Sequence, residues 1–246
     1  MTRPSTAAAM LLQSRQADAA ICGGTGDWWR HIQDVLPVIS RSPRAGRVYA
    51  LSCLILQNGV LFVCDTHMLV DPTLEQVAEM TLLAADAVRK FGVVPKAALL
   101  SHSSFGASDS YSARKMRAAL KLIRSRAPDL QIDGEMHADA ALSEAIRNRT
   151  VPDSRLEGRA NLLIMPTLDA ANIAFTLLKT AADGLPIGPI LLGMSKPVHV
   201  LVPSVTARGI VNLSALAVLE ARAIGPRNPA EAPAVGVAGS ASPVGH

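Results

Sequence analysis

Short apolar runs alternate along this chain with polar turns and with longer stretches in which apolar residues recur every three to four positions. A sheet of mainly parallel strands flanked by helices reads in this way. Strands covered on both faces are continuously apolar, while the helices between them carry one apolar stripe. The predicted class is α/β.

The first segment predicts a helix near the N-terminus, a strand over Asp18–Cys22, a turn of Gly23, Gly24, Thr25 and Gly26, and a helix from Asp27 to Leu36 with Pro37 at its end. From Val48 two strand-like runs follow, separated by Gln57, Asn58 and Gly59, and an Asn-Gly pair between apolar runs predicts a hairpin. A new subdomain is expected to begin here. Thr73 then reads as an N-cap with Gln76 three residues on. Val77, Met80, Ala84, Val88 and Phe91 form one stripe that stops at Gly92.

Further strands are predicted at Lys96–Leu100, Leu130–Ile132, Asn161–Met165, Ile190–Leu192 and His199–Val202. Asp169 reads as the cap of one helix, with Gly184 beyond its end, and a last helix is expected over Ile210–Ala223. Residues 226–246 are rich in Pro, Gly, Ala and Ser and are expected to form a disordered tail.

Composition narrows the function classes. The 246 residues are 49% hydrophobic and 18% charged, enough to bury a substantial core. The net charge of +4 is spread along the chain without basic runs interleaved with aromatics, which argues against a nucleic-acid surface. The N-terminal apolar stretch Ala7–Leu12 is too short to cross a membrane. Cys22, Cys53 and Cys64 have no C-x-x-C spacing and are odd in number, so neither a disulfide framework nor a zinc knuckle is indicated; a reducing, cytoplasmic setting is expected.

Some local clusters suggest chemistry. The Gly23–Gly26 turn between a strand and a helix offers backbone N–H groups to an anion, or serves only as a turn that needs glycine torsions. Ser101, His102, Ser103, Ser104, Phe105 and Gly106 follow a strand, where open α/β sheets place their ligands; the alternative is that these serines cap the next helix. Asp65 with His67, and Glu135 with His137 and Asp139, are metal-ligating residue types in no known zinc spacing, and Asp139 also reads as a helix cap. No G-x-S-x-G elbow supports a hydrolase. The pair Trp28 and Trp29 is expected to pack, one buried and one partly exposed.

Several segments together resemble a known family: QADAAICGG (16–24), LFVCDTHMLVDPTLEQVAEM (61–80), ALLSHSSFGASDS (98–110), DGEMHADAAL (133–142), NLLIMPTLDAANIAF (161–175) and PIGPILLGMSKPVHVLVPSVTARGIVNLSALAVLEA (186–221). They resemble the phosphate acetyl/butyryl transferases (phosphotransacetylases), and most closely the divergent copy at the C-terminus of bacterial NADP-dependent malic enzymes. The resemblance implies two α/β lobes with a cleft between them, similar to isocitrate and isopropylmalate dehydrogenases. A full family domain has a further N-terminal stretch, so the chain is expected to be N-terminally truncated. Residues 1–42 with 188–225 would be the remnant of the first lobe and 43–187 the second.

In the family, the resemblance implies that coenzyme A attacks acetyl phosphate with an aspartate as base and a serine and arginine beside it. Laid on this chain, the serine falls on Val202, the arginine on Pro203 and the aspartate on Gly209, while a family lysine falls on Phe105. Arg208 cannot replace the base because it stays protonated. Losing a base commonly costs roughly 10²- to 10⁴-fold in rate, so no catalytic residue is assigned. What the resemblance leaves is recognition, by Ser101, Ser103 and Gly106 in the strand-end loop and by Asn172, Gly188, Pro189 and Gly193 in cleft-lining turns. The expected function is a catalytically degenerate module that binds acetyl-CoA or CoA, regulates, or assembles a homo-oligomer, with a malic-enzyme domain as candidate partner and no required cofactor. The alternatives are a working transferase that uses His102, His199 or Arg208, and a truncated gene product without a role of its own. Neither the nucleotide fingerprint nor the metal carboxylates of malate oxidation are found in the sequence.

Overall fold

The computed structural model describes residues 3–224, so the expected tail at 226–246 lies outside the described residues. In chain order the elements are α1 (Pro4–Gln13), β1 (Ala20–Gly23), α2 (Trp28–Val35), β2 (Tyr49–Leu56), β3 (Gly59–Cys64), α3 (Leu74–Lys90), β4 (Lys96–Leu100), α4 (Tyr111–Arg126), β5 (Gln131–Met136), α5 (Ala138–Leu142), α6 (Glu144–Thr150), β6 (Leu162–Ile164), α7 (Leu168–Ala181), β7 (Leu185–Leu192), β8 (Val198–Leu201) and α8 (Ala207–Ile224).

They build two sheets. The larger has the order β5-β4-β6-β3-β2-β7, in which β3, β4, β5 and β6 run parallel and β2 is antiparallel to both of its neighbours. Alternate residues serve opposite faces: Phe62, Cys64, Ala97 and Leu99 pack toward α3 and α4, while Leu61, Val63, Ala98 and Leu100 pack toward α5 and α7. Because both faces are covered, these strands are apolar throughout. The smaller sheet is the parallel pair β1–β8, with Ala20 opposite Val198 and Gly23 opposite Leu201. Its core combines Leu12 of α1, Ile32 and Val35 of α2, Val200 of β8 and Leu191 of β7, so β7 serves both sheets. The boundary expected at residue 188 falls inside this strand.

Local signals explain most elements. The β2–β3 hairpin turns at Gln57 and Asn58, with Gly59 at φ +126°. On α3, Thr73 and Gln76 form the reciprocal capping box, and the stripe Val77, Met80, Ala84 and Val88 is fully buried. Trp28 is buried and its indole N–H donates to Val200 O at 2.9 Å, while Trp29 is 43% exposed.

Three expectations need correction. The cap of α7 is Thr167, whose hydroxyl accepts from Ala170 N; Asp169 lies in the first turn, where the helix dipole favours a carboxylate. Likewise Asp139 lies inside the first turn of α5 rather than at its cap, which is His137. Finally, β7 begins at Leu185, not Ile190. Its Gly and Pro residues resemble a turn, but β7 is an edge strand with β2 as its one neighbour, where a missing N–H on the outer side costs no ladder bond.

Candidate functional site

Because β3, β4, β5 and β6 are parallel, the turns after them share one edge of the large sheet. The loop after β4 is organised by Glu135, which is fully buried. Its Oε1 accepts from Ser103 Oγ at 2.7 Å, Gly106 N at 3.1 Å and Arg117 Nη1 at 2.8 Å. Ser101 Oγ accepts from Ser103 N, and Ser103 Oγ accepts from Ser108 N. These two serines therefore shape the loop, and the cap of α4 is Ser110. Phe105 packs against the apolar layer under α5 and α7.

After β3, Asp65 draws the chain into a tight turn. Its Oδ1 accepts from Ala50 N, His67 N and Met68 N, and its Oδ2 from Leu69 N, all between 3.0 and 3.2 Å. Burial raises its carboxyl to about 6 against the pull of these donors, and burial lowers the His67 imidazole to about 4. His67 lies against Trp28, ring centroids 5.0 Å apart, which joins the large-sheet edge to α2.

Asn172 reaches the same turn, donating to Thr66 O at 3.4 Å, while Thr66 Oγ1 lies 2.8 Å from Ser52 Oγ. Gly188 of β7 crosses beside Ser52, and a Cβ there would sit 3.0 Å from Leu51 O. Asn172, Gly188 and Pro189 thus flank one strand crossing. Gly193 is held elsewhere, beneath the loop 41–47, where its missing Cβ leaves room for Arg47 O and Ala45. Ser101, Ser103 and Gly106 form a third group beside Glu135.

On the smaller sheet the ends of β1 and β8 lie side by side. Gly24 N donates to Leu201 O at 3.1 Å, and a Cβ on Gly23 would stand 2.7 Å from that oxygen, so glycine is required for the approach. Val202 and Pro203 lie in the β8–α8 turn and Gly209 in the first turn of α8. Pro203 is exposed and supplies neither a cation nor an N–H. Gly209 is buried, donates to the capping hydroxyl of Thr206 at 3.1 Å, and would place a Cβ 3.2 Å from Val205 Cγ2.

His199 is 1% exposed. Leu191 N donates to its Nδ1 at 3.2 Å, so Nε2 carries the proton that faces Glu220 Oε2 at 3.0 Å. Burial pushes Glu220 up, but His199 and Lys90 outweigh it and hold the carboxyl below its usual range. His199 is occupied in a structural bridge, while His102 and Arg208 are exposed. Asp65 and His67 follow β3, whereas Glu135 lies in β5 with His137 and Asp139 just beyond it, and among the described residues no three such side chains converge on a metal position. The His199–Glu220–Lys90 network carried no spacing signal in the sequence, because its members come from distant segments.

A mainly parallel α/β sheet joined to a second, smaller sheet, with glycine turns and strand-end loops at their edges, defines a two-sheet α/β protein. The description phosphate acetyl/butaryl transferase matches residues 1–218, and the chain belongs to this family. It is 50% identical over 219 residues to an NAD-dependent malic enzyme of Rhizobium meliloti, covering 89% of this chain and 28% of that one. It is 36% identical to a phosphate acetyltransferase of Paracoccus denitrificans, covering 90% of this chain and 72% of that one. A phosphotransacetylase structure from Streptococcus pyogenes superposes with a TM-score of 0.83 at 28% identity, over 88% of this chain and 67% of that one. The chain spans less than a third of the malic enzymes it matches. Among the described residues no helix is long and apolar enough to cross a membrane.

Proposed function

We propose that this chain is a phosphotransacetylase-like domain of the kind carried by malic enzymes, that it binds acetyl-CoA or CoA, and that it regulates or assembles rather than catalyses acetyl transfer. The observation that carries this is the β8–α8 turn. Where the family resemblance expects a serine, an arginine and an aspartate, the chain has Val202, an exposed Pro203 and a buried Gly209 whose N–H is spent on a helix cap. None of these three residues can take a proton from a thiol or offset charge on a phosphate oxygen.

In this reading the two sheets belong to two lobes arranged as in isocitrate dehydrogenase, and the ligand lies between them. A homo-oligomer is favoured by the exposed apolar side chains Ile173 and Leu177 on α7 and Val211, Val218 and Leu219 on α8. A malic-enzyme domain is the candidate partner, and the cytoplasm the compartment. The rival reading, an active transferase, must rely on His102 or Arg208, since His199 is buried against Glu220.

Calorimetry with acetyl-CoA, run beside a coupled assay of acetyl phosphate plus CoA on the same sample, tests the proposal. Binding without turnover is expected. Turnover at a rate typical of acyltransferases would overturn it in favour of the active enzyme, and absence of both would leave a scaffold.

A further inference from the structure

Between α2 and β2 the chain reads RSPRAGR at 41–47, three arginines in seven residues. This loop is pinned at both ends. Ser42 N donates to Gly193 O at 2.8 Å, Ser195 N donates to Ser40 O at 3.0 Å, and Arg41 bridges Met194. On its far side Glu79 of α3 accepts from Gly46 N at 2.6 Å and Arg47 N at 3.1 Å, and Arg41 Nη1 donates to Gly46 O. The arginines are therefore displayed on a fixed backbone, not on a free coil.

A cavity of about 750 Å³ opens between this loop, α2 and the Asp65 turn. Its wall presents Arg41 and Arg47, the hydroxyls of Ser40 and Ser42, and the partly exposed indole of Trp29, with Met68 on the apolar side. Among the described residues, no Asp or Glu lines it. The neighbouring cavity, of about 460 Å³, differs in kind: Arg44, Lys90 and Lys196 there are offset by Asp86 and Glu220. Guanidiniums with hydroxyls suit phosphate oxygens, and an aromatic face suits a base. The cavity is also of the size that small-ligand sites occupy.

We propose that this cavity is a nucleotide site, in which Arg41 and Arg47 hold the phosphates and Trp29 stacks on the adenine of a phosphorylated adenine nucleotide. The chemistry asks only for that nucleotide. Its assignment to the nucleotide end of coenzyme A rests on the acyl-CoA reading above.

The test uses adenosine bisphosphate, the nucleotide end of coenzyme A without its pantetheine arm, alongside adenosine and acetyl-CoA, followed by calorimetry and tryptophan fluorescence on the whole chain. Adenosine bisphosphate is expected to bind and quench Trp29, and adenosine to bind at least about tenfold more weakly. The R41A/R47A variant should lose about tenfold or more in affinity while its thermal unfolding stays a single cooperative transition. Trp29→Ala should lose about tenfold, Trp29→Phe should restore most of it, and both should abolish the quench. Affinity unchanged in R41A/R47A, or no binding of adenosine bisphosphate, overturns the site. If acetyl-CoA binds that variant as tightly as the native chain, the site falls while the acyl-CoA reading stands. If adenosine bisphosphate binds through the arginines but acetyl-CoA binds no tighter than it does, the site stands and the acyl-sensing reading falls.

Discussion

His67 stands with its imidazole 5.0 Å from the indole of Trp28, two residues along the chain from the buried carboxyl of Asp65. The two titrating groups on this turn act in opposite directions. The imidazole is lowered by burial to about 4, so its contribution to stability is present above its ordinary 6.5 and is lost as pH falls through 4. The Asp65 carboxyl is raised by burial from 3.8 to about 6, so its contribution is present below 3.8 and is lost as pH rises through 6. Over the shared window the slopes, each at most about 1.4 kcal/mol per pH unit, largely cancel. Replacing His67 with Gln removes one of them. Urea denaturation at stepped pH should then show the stability advantage of the native chain over His67→Gln shrinking from pH 7 to pH 4. Parallel profiles would show that the imidazole is not held neutral.

Under the proposed reading, Val202 and Pro203 of the β8–α8 turn and Gly209 at the start of α8 define what acetyl transfer would require. A side chain at Gly209 meets Val205 Cγ2 at 3.2 Å and Thr206 Oγ1 at 3.4 Å, so Gly209→Asp alone should cost about 1 kcal/mol while gaining no activity. The triple variant V202S/P203R/G209D restores a base and a cation together. It should raise acetyl-CoA formation from acetyl phosphate and CoA by roughly 10²-fold or more over the native background. A triple variant that folds, binds acetyl-CoA and stays at background would show that these three positions are not what limits acetyl transfer.

Elements specified by neighbouring residues were legible in the sequence, and elements specified by distant ones were not. The Asn58-Gly59 hairpin and the Thr73/Gln76 capping box each depend on a few adjacent residues, and each stands where expected. The first half of β7 was hidden because its Gly and Pro residues signal a turn, and only its place at the sheet edge makes them tolerable. In the site, the Ser101–Gly106 loop was visible as a cluster of small polar residues after a strand. Its organiser Glu135 was not, because it arrives 32 residues from Ser103. Asp65 was noticed as a metal-type residue, whereas one of its four backbone donors, Ala50, comes from the neighbouring strand.

Arg147 shows the same gap in a way that can be measured. Its segment, AIRNR, reads as a solvated helix face, yet the side chain is fully buried. Its guanidinium donates to Ala140 O at 2.9 Å, Leu156 O at 2.6 Å and Gly158 O at 2.7 Å, while the nearest carboxylate, Glu144, is 3.9 Å away. It ties α6 to the loop before β6. Arg147→Met would leave three carbonyls without this donor, and a loss of about 2–4 kcal/mol is expected by urea denaturation. A loss below about 1 kcal/mol would mean that water replaces the guanidinium at little cost.

Gly193 sets the seat of the arginine loop. At φ +83° it lies where L side chains are strained, and a Cβ would come within 2.6 Å of Arg47 O and 2.8 Å of Ala45 Cβ. Both neighbours belong to the loop, so Gly193→Ala must push the loop away or distort the turn after β7. The strain should cost about 1–3 kcal/mol. The displacement should appear as faster hydrogen exchange at Ser42 N and Ser195 N, which bond Gly193 O and Ser40 O. Exchange in β6 and β3, at the centre of the large sheet, should follow only the global loss of stability. Because Arg41 and Arg47 ride on the same loop, affinity for adenosine bisphosphate should fall together with the exchange protection at Ser42 and Ser195. Protection lost without any change in affinity would separate the loop's anchoring from phosphate binding and place the nucleotide elsewhere.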